Sequence, residues 1–191
     1  MKKALIAMSG GVDSSLAAKP DSQDICFVPD GDYAGVIERH TGRRPVCGNF
    51  VDSSGNVLGR HKGVIHYTIG QRKGLGIGGR KESLFILATD TVQNVIYVGE
   101  GDSHPGLWRQ ALHISPREIH WVNPARTMPA GQSARFSVRI RYRQPLQEAT
   151  LFVRDQGAYI LFDTPQRGIT PGQFAAWYDG DELVGSGVIS E

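Results

Sequence analysis

The sequence predicts a mainly β protein: a small central α+β domain and a small C-terminal β-barrel, preceded by the remnant of a doubly wound α/β domain. Three observations lead there. With 24 Gly and 10 Pro the chain carries more turn-formers than average, which favours many short strands. Towards the C-terminus short apolar stretches recur at regular spacing between Pro, Gly and Asp turns, as in a closed barrel. Residues 4–8, by contrast, form a continuous apolar run of the kind buried in a parallel sheet.

The elements follow in order. After the strand at 4–8 comes Ser9-Gly10-Gly11-Val12-Asp13-Ser14-Ser15. Its two glycines let successive N–H groups turn inward as an anion-binding nest, and a helix beginning at Ser14 or Ser15 adds its N-terminal dipole. No Gly-Lys-Ser/Thr follows, so this is not a Walker loop. The helix has barely one turn before Pro20, since a residue preceding proline is pushed out of helical geometry. No further βα units follow to cover the strand, so these residues read as the opening of a doubly wound domain without the domain.

Residues 33–40 suggest a short helix. Residues 48–52 and 57–60 read as strands around Ser53-Ser54-Gly55-Asn56, and residues 84–89 and 94–99 as a hairpin. Between these pairs lies a basic glycine-rich loop, residues 67–79. Residues 134–142 alternate with period two, placing Phe136, Val138, Ile140 and Tyr142 on one face and Arg135, Ser137, Arg139, Arg141 and Arg143 on the other. Further strands are expected at 146–153, 158–162, 173–178 and 183–189. The expected domains are 1–30 (the α/β remnant, with a junction near 19–20), 31–103 (central) and 104–191 (barrel).

The formal net charge of +2 conceals a segregation. Residues 60–81 hold six Lys or Arg and no acid, residues 135–143 four Arg and no acid, and residues 21–32 four Asp and no base. Clustered cations of this kind are an electrostatic footprint for a polyanion. Cys26 and Cys47 are too few for a disulfide framework, and with six scattered His they show no metal-ligand spacing, so no metal site is expected. No apolar run approaches the roughly 18 residues of a membrane span, and the N-terminus lacks a signal-peptide core, so a cytoplasmic location is expected.

Ser9-Gly10-Gly11-Val12-Asp13-Ser14 resembles the signature of the PP-loop ATP pyrophosphatases, which activate a carbonyl oxygen by adenylation. Two longer stretches are more specific: Asp21-Ser22-Gln23-Asp24-Ile25-Cys26-Phe27 and His66-Tyr67-Thr68-Ile69-Gly70-Gln71-Arg72-Lys73-Gly74-Leu75-Gly76. Together with Arg141-Tyr142-Arg143 and Thr170-Pro171-Gly172-Gln173, they resemble the bacterial tRNA-specific 2-thiouridylases, over essentially the whole chain. That resemblance implies an N-terminal PP-loop domain, a central domain that binds tRNA and a C-terminal β-barrel. It implies ATP, with Mg, on Ala7, Met8, Ser9, Gly10, Gly11, Val12, Asp13 and Ser14, adenylating the C2 oxygen of the wobble uridine. It also implies Cys26 as the persulfide carrier, a persulfide-donor protein as partner, and tRNA contacts at Arg141, Tyr142 and Gln173.

Arg139 and Arg143 extend the expected tRNA surface as a row along the strand, where alternate residues repeat every ~6.6–6.8 Å. Arg72 and Lys73 extend it on the glycine-rich loop. The plainer alternatives are a solubilising barrel face for the arginines, a turn cap for Gln173 and a small buried residue for Cys26. Asp21 and Asp24 oppose a lowered thiol pKa at Cys26, so the motif and not its surroundings favours function there.

The chain departs from the family between the PP-loop and the Cys26 motif. An adenylation domain of ordinary size would place roughly 100–200 residues there, with the family's nucleophilic cysteine and the remaining ATP contacts. Here they meet at Lys19-Pro20, and Cys47 matches neither family cysteine motif. Three functions are therefore weighed: a 2-thiouridylase relative inactive as it stands, a non-catalytic tRNA-binding module, and a different PP-loop enzyme such as an amidating synthetase. The specific motifs disfavour the third.

Overall fold

A computed structural model describes residues 44–190 together with 35, 36, 38, 39 and 42. The expected strand at 4–8, the loop from Ala7 to Ser14 and the Cys26 motif lie outside the described residues. The described residues divide into two compact units meeting in sequence at Leu107 and Trp108.

The first unit is a small mixed sheet. Gly35, Val36, Glu38 and Arg39 are helical, and Gly42, with φ 66°, donates to the Glu38 carbonyl to end that helix. Strands β1 (Gly48–Val51), β2 (Val57–His61), β3 (Leu84–Asp90) and β4 (Val95–Glu100) lie in the order β2-β1-β4-β3. β1 and β4 are parallel; the outer pairs are antiparallel hairpins where the turn residues predict them.

The turns have explicit chemistry. Asp52 accepts from the Ser54 and Asn56 N–H groups and from the Asn56 amide, and these bonds, the Asn56 side chain's first, hold its carboxyl below the usual range. Asp90 accepts from the Val92 and Gln93 N–H groups, and Asn94 takes φ 55° while its amide ties down the Val46 and Cys47 carbonyls. Phe50, Leu75, Leu84, Ile86, Ile96 and Val98 make the core.

His61 is buried beside Phe50 and Tyr67 in edge-on packing. Its Nδ1 accepts from the Gly63 N–H, so Nε2 carries the proton donated to the Asn94 carbonyl at 3.2 Å. Burial lowers its pKa, only partly countered by that carbonyl.

The second unit is a closed antiparallel barrel with the strand order β10-β5-β8-β7-β6-β9. Its strands are β5 (Trp108–Trp121), β6 (Ser133–Arg139), β7 (Gln147–Arg154), β8 (Gly157–Arg167), β9 (Phe174–Asp179) and β10 (Glu182–Ile189). Closure removes the sheet edges, and the inward residues Ile114, Val138, Leu151, Ile160, Phe162 and Trp177 fill the interior. β10 runs close over Trp177 because Gly185 has no Cβ: an added one would sit 2.5 Å from the indole.

One sequence expectation needs correction, and one strand falls where the sequence marks none. The 14-residue β5 crosses Ser115-Pro116-Arg117-Glu118, residues of turn-forming type. The strand continues through them by changing partner: Trp108–Ile114 pairs with β8 and Ile119–Trp121 with β10. Pro116 falls in the register shift between, where no ladder N–H is needed. β6, expected to run to Tyr142, stops at Arg139, so Tyr142 leaves the inner face and stands 63% exposed, while Phe136, Val138 and Ile140 are buried as predicted.

Candidate nucleic-acid interface

The end of β6 builds a short rim structure. The Gln144 N–H donates to the Arg141 carbonyl at 3.1 Å, closing a turn with Tyr142 and Arg143 at its two central positions. Gln144 then staples it: Oε1 accepts from the Ile140 N–H at 3.2 Å, and Nε2 donates to Gln166 Oε1 at 2.6 Å. Gln166 is 4% exposed and is itself held by the Thr164 carbonyl and Gln147. A buried amide satisfied at both ends fixes its neighbours more firmly than an exposed one.

Arg141 crosses to the connection between β8 and β9, where its Nη2 donates to the Gly168 carbonyl at 2.7 Å. Thr170 Oγ1 donates to the same carbonyl, and the Gln173 N–H closes a turn onto the Thr170 carbonyl. Gly168 has φ 65°, and an added Cβ would lie 2.5 Å from Arg141 Nη2. Burial, then the charge of Arg167, lowers the Arg141 pKa, but a guanidinium stays protonated at neutral pH. One hydrogen bond thus ties the turn bearing Tyr142 to the connection bearing Gln173.

Gln173 has a further property. Its Oε1 is buried and accepts no hydrogen bond among the described residues. Its backbone is satisfied, since its carbonyl takes the Ile189 N–H at 2.8 Å. An orphaned acceptor costs about 1–3 kcal/mol until a donor reaches it.

The expected row of arginines is not displayed as a row. Arg139 Nη1 donates to the Tyr142 carbonyl, and its guanidinium lies 5.5 Å from the centre of the Tyr178 ring. Its work is to hold the turn. Arg141 turns towards Gly168, and Arg143 belongs to the turn and not to the strand. Arg135 is neutralised by neighbours distant in sequence: Asp163 binds it through two bonds of 2.7 and 2.6 Å, and Glu148 lies 3.7 Å away. The Asp163 bond raises the Arg135 pKa and lowers its partner's. An acid-free stretch of sequence is therefore not an acid-free surface here.

In the first unit the glycine-rich loop runs along β3. The Gly70 N–H donates to the Ile86 carbonyl at 2.8 Å, and the Ile86 N–H to that of Gln71 at 3.0 Å. The Gln71 side chain accepts from the Thr68 N–H and donates to the Lys73 carbonyl. Arg72 borders an open groove beyond this point, whereas Lys73 does not line it.

Gly168, Gln144 and Gln166 are the residues that sequence reading missed. Only Gly168 had a signal, as a glycine two positions before the Thr170-Pro171-Gly172-Gln173 motif. Cys47 is exposed, and among the described residues no group of His, Cys, Asp and Glu is placed to hold a metal, and no helix is long and apolar enough to cross a membrane.

Residues 34–100 match the family described as "tRNA methyl transferase PRC-barrel domain", and residues 111–189 the one described as "Aminomethyltransferase beta-barrel domain". The tRNA-specific 2-thiouridylase of Christiangramia forsetii is 51% identical over 142 residues, covering 74% of this chain and 36% of that protein. Its counterpart in Zymomonas mobilis is 41% identical over 184 residues, 96% of this chain and 46% of that protein. That of Pseudomonas putida strain GB-1 is 40% identical over 177 residues, 91% and 46% respectively. The chain thus spans less than half the length of these curated relatives. In its two matched regions, the chain belongs to the family of the tRNA-specific 2-thiouridylases.

Proposed function

We propose that this chain is the tRNA-holding part of an enzyme that 2-thiolates the wobble uridine of tRNA, and that it does not thiolate on its own. The observation that carries the binding half is the barrel rim, where the Arg141–Gly168 bond ties exposed Tyr142 to the connection carrying Gln173 and its orphaned Oε1. A single-stranded RNA loop suits such a rim: its unstacked bases accept an aromatic platform and present N–H donors on their edges. A base N–H meeting Gln173 Oε1 as that side chain turns outward would satisfy it, and duplex RNA, with its base edges already paired, supplies that donor poorly. Arg141 keeps its charge and adds a cation to the same rim.

The family's chemistry needs more than the rim. Ala7 to Ser14 would hold ATP with Mg, Cys26 would carry the persulfide delivered by a donor protein, and the reaction would run in the cytoplasm. These residues lie outside the described ones, and the proposal of inactivity rests on the Lys19-Pro20 junction in the sequence. Transfer to a base demands reacting groups held in a preorganised pocket, and the short stretch between Ser14 and Cys26 does not supply one.

The test combines chain, ATP and Mg, a persulfide donor and unmodified tRNA, with digested nucleosides read by mass spectrometry and tRNA retention measured alongside. Retention without 2-thiouridine is expected. Product that disappears on Cys26→Ser would refute the inactivity, and absence of retention would refute the holding role.

A further inference from the structure

The glycine-rich loop of the first unit forms the wall of an open groove of about 560 Å³, bordered by Arg72, Arg80 and Lys81. The loop is anchored. Leu75 is buried in the core and Ile77 packs against it, so their side chains turn inward. The intervening Gly74, Gly76 and Gly78 are exposed and leave bare backbone on the outer side.

Four of the loop glycines are explained by the fold itself, since Gly70, Gly74, Gly76 and Gly79 have φ of 83°, 80°, 68° and 76°. Gly78 is not. Its φ lies outside the left-handed region, and a Cβ added there meets nothing within 4 Å. Nothing among the described residues calls for glycine at this position; a ligand pressed against the backbone would.

The cations point to the ligand. Arg72, Arg80 and Lys81 make no ion pair among the described residues, in contrast to Arg126 and Arg135 on the barrel. Arg80 exerts only a field on Asp52, lowering its pKa as the last of several causes. The one acid in the lining, Glu82, has its N–H on Glu100 and its carboxylate against Gly101. Among the described residues no aromatic side chain lines the groove, so it offers cations and amides and not a platform for a base.

We infer that this groove binds the phosphodiester backbone of an RNA strand, with Arg72, Arg80 and Lys81 on phosphates and the strand lying against the backbone at Gly78. The inference rests on tRNA being the partner and adds a second, base-independent contact to the barrel rim. Phosphate contacts of this kind position an RNA without reading its sequence.

The test is fluorescence anisotropy of labelled unmodified tRNA with the whole chain, between about 50 and 200 mM salt, the range over which phosphate contacts weaken steeply. Two groove variants are compared with Tyr142→Ala: the triple Arg72→Gln/Arg80→Gln/Lys81→Gln, and Gly78→Glu, which the fold accommodates. The triple variant should flatten the slope of log K against log salt by about 2–3, from 0.7–0.9 per phosphate contact. Gly78→Glu should weaken binding severalfold at unchanged Tm, and both effects should appear with Tyr142 intact. Wild-type slope and affinity in both groove variants, with Tyr142→Ala still weakened, would overturn the groove and leave the rim standing. Loss of labelled-ATP binding in the triple variant with tRNA affinity intact would also overturn it, by making the groove a nucleotide site. If the wild-type chain binds no tRNA, both proposals fail together.

Discussion

Arg141 shows how a residue expected to touch ligand first serves the fold. Its guanidinium is spent on the Gly168 carbonyl, which frees Tyr142 to stand outward. Gly168→Ala places a Cβ against that guanidinium and an L-residue at φ 65°. It should destabilise by about 1 kcal/mol or more, as alanine does at positive φ, and should weaken tRNA binding with it; thermal melts and binding on the same sample check both. His61 carries a pH dependence of definite sign. Its pKa is lowered in the folded state, so the unfolded chain takes up the proton first. Stability from this residue is present above the ordinary value of 6.5 and is lost as pH falls below it. Urea midpoints at neutral and mildly acidic pH should show that loss, and His61→Gln should reduce it.

At the scale of elements, legibility followed how local the cause was. The hairpins β1–β2 and β3–β4 could be read because Asp52, Gly55, Asp90 and Asn94 carry their turn chemistry within a few residues. The alternation that set Phe136 and Val138 inward could be read for the same reason. β5 could not, since its continuation past Pro116 depends on β8 and β10, strands distant in sequence. Nor could the fate of the arginines: Arg135 meets Asp163 only after β8 has folded beside β7 and β6. That pair is solvent-exposed, and an exposed ion pair adds little to stability, so Asp163→Asn should leave Tm nearly unchanged. β10 gives the opposite result. Gly185→Ala drives a methyl into Trp177 and should cost about 1–3 kcal/mol through overpacking, read from denaturant midpoints.

For the whole molecule, the net charge of +2 says little, because the two units use their cations differently. The barrel pairs Arg126 and Arg135 with acids and commits Arg139 and Arg141 to its rim, leaving Tyr142 outward. The mixed sheet leaves Arg72, Arg80 and Lys81 without an ion pair among the described residues. The two surfaces proposed for RNA lie one in each unit of a chain that spans less than half the length of these relatives. The claim that it holds tRNA through the barrel rim is tested most directly by comparing unmodified tRNA binding of the wild-type chain with Tyr142→Ala/Gln173→Ala. Loss of one stacked base is worth about 1–3 kcal/mol, so the double variant should bind about 5- to 150-fold more weakly without melting below the wild-type temperature. Equal affinity in the two proteins would contradict the account.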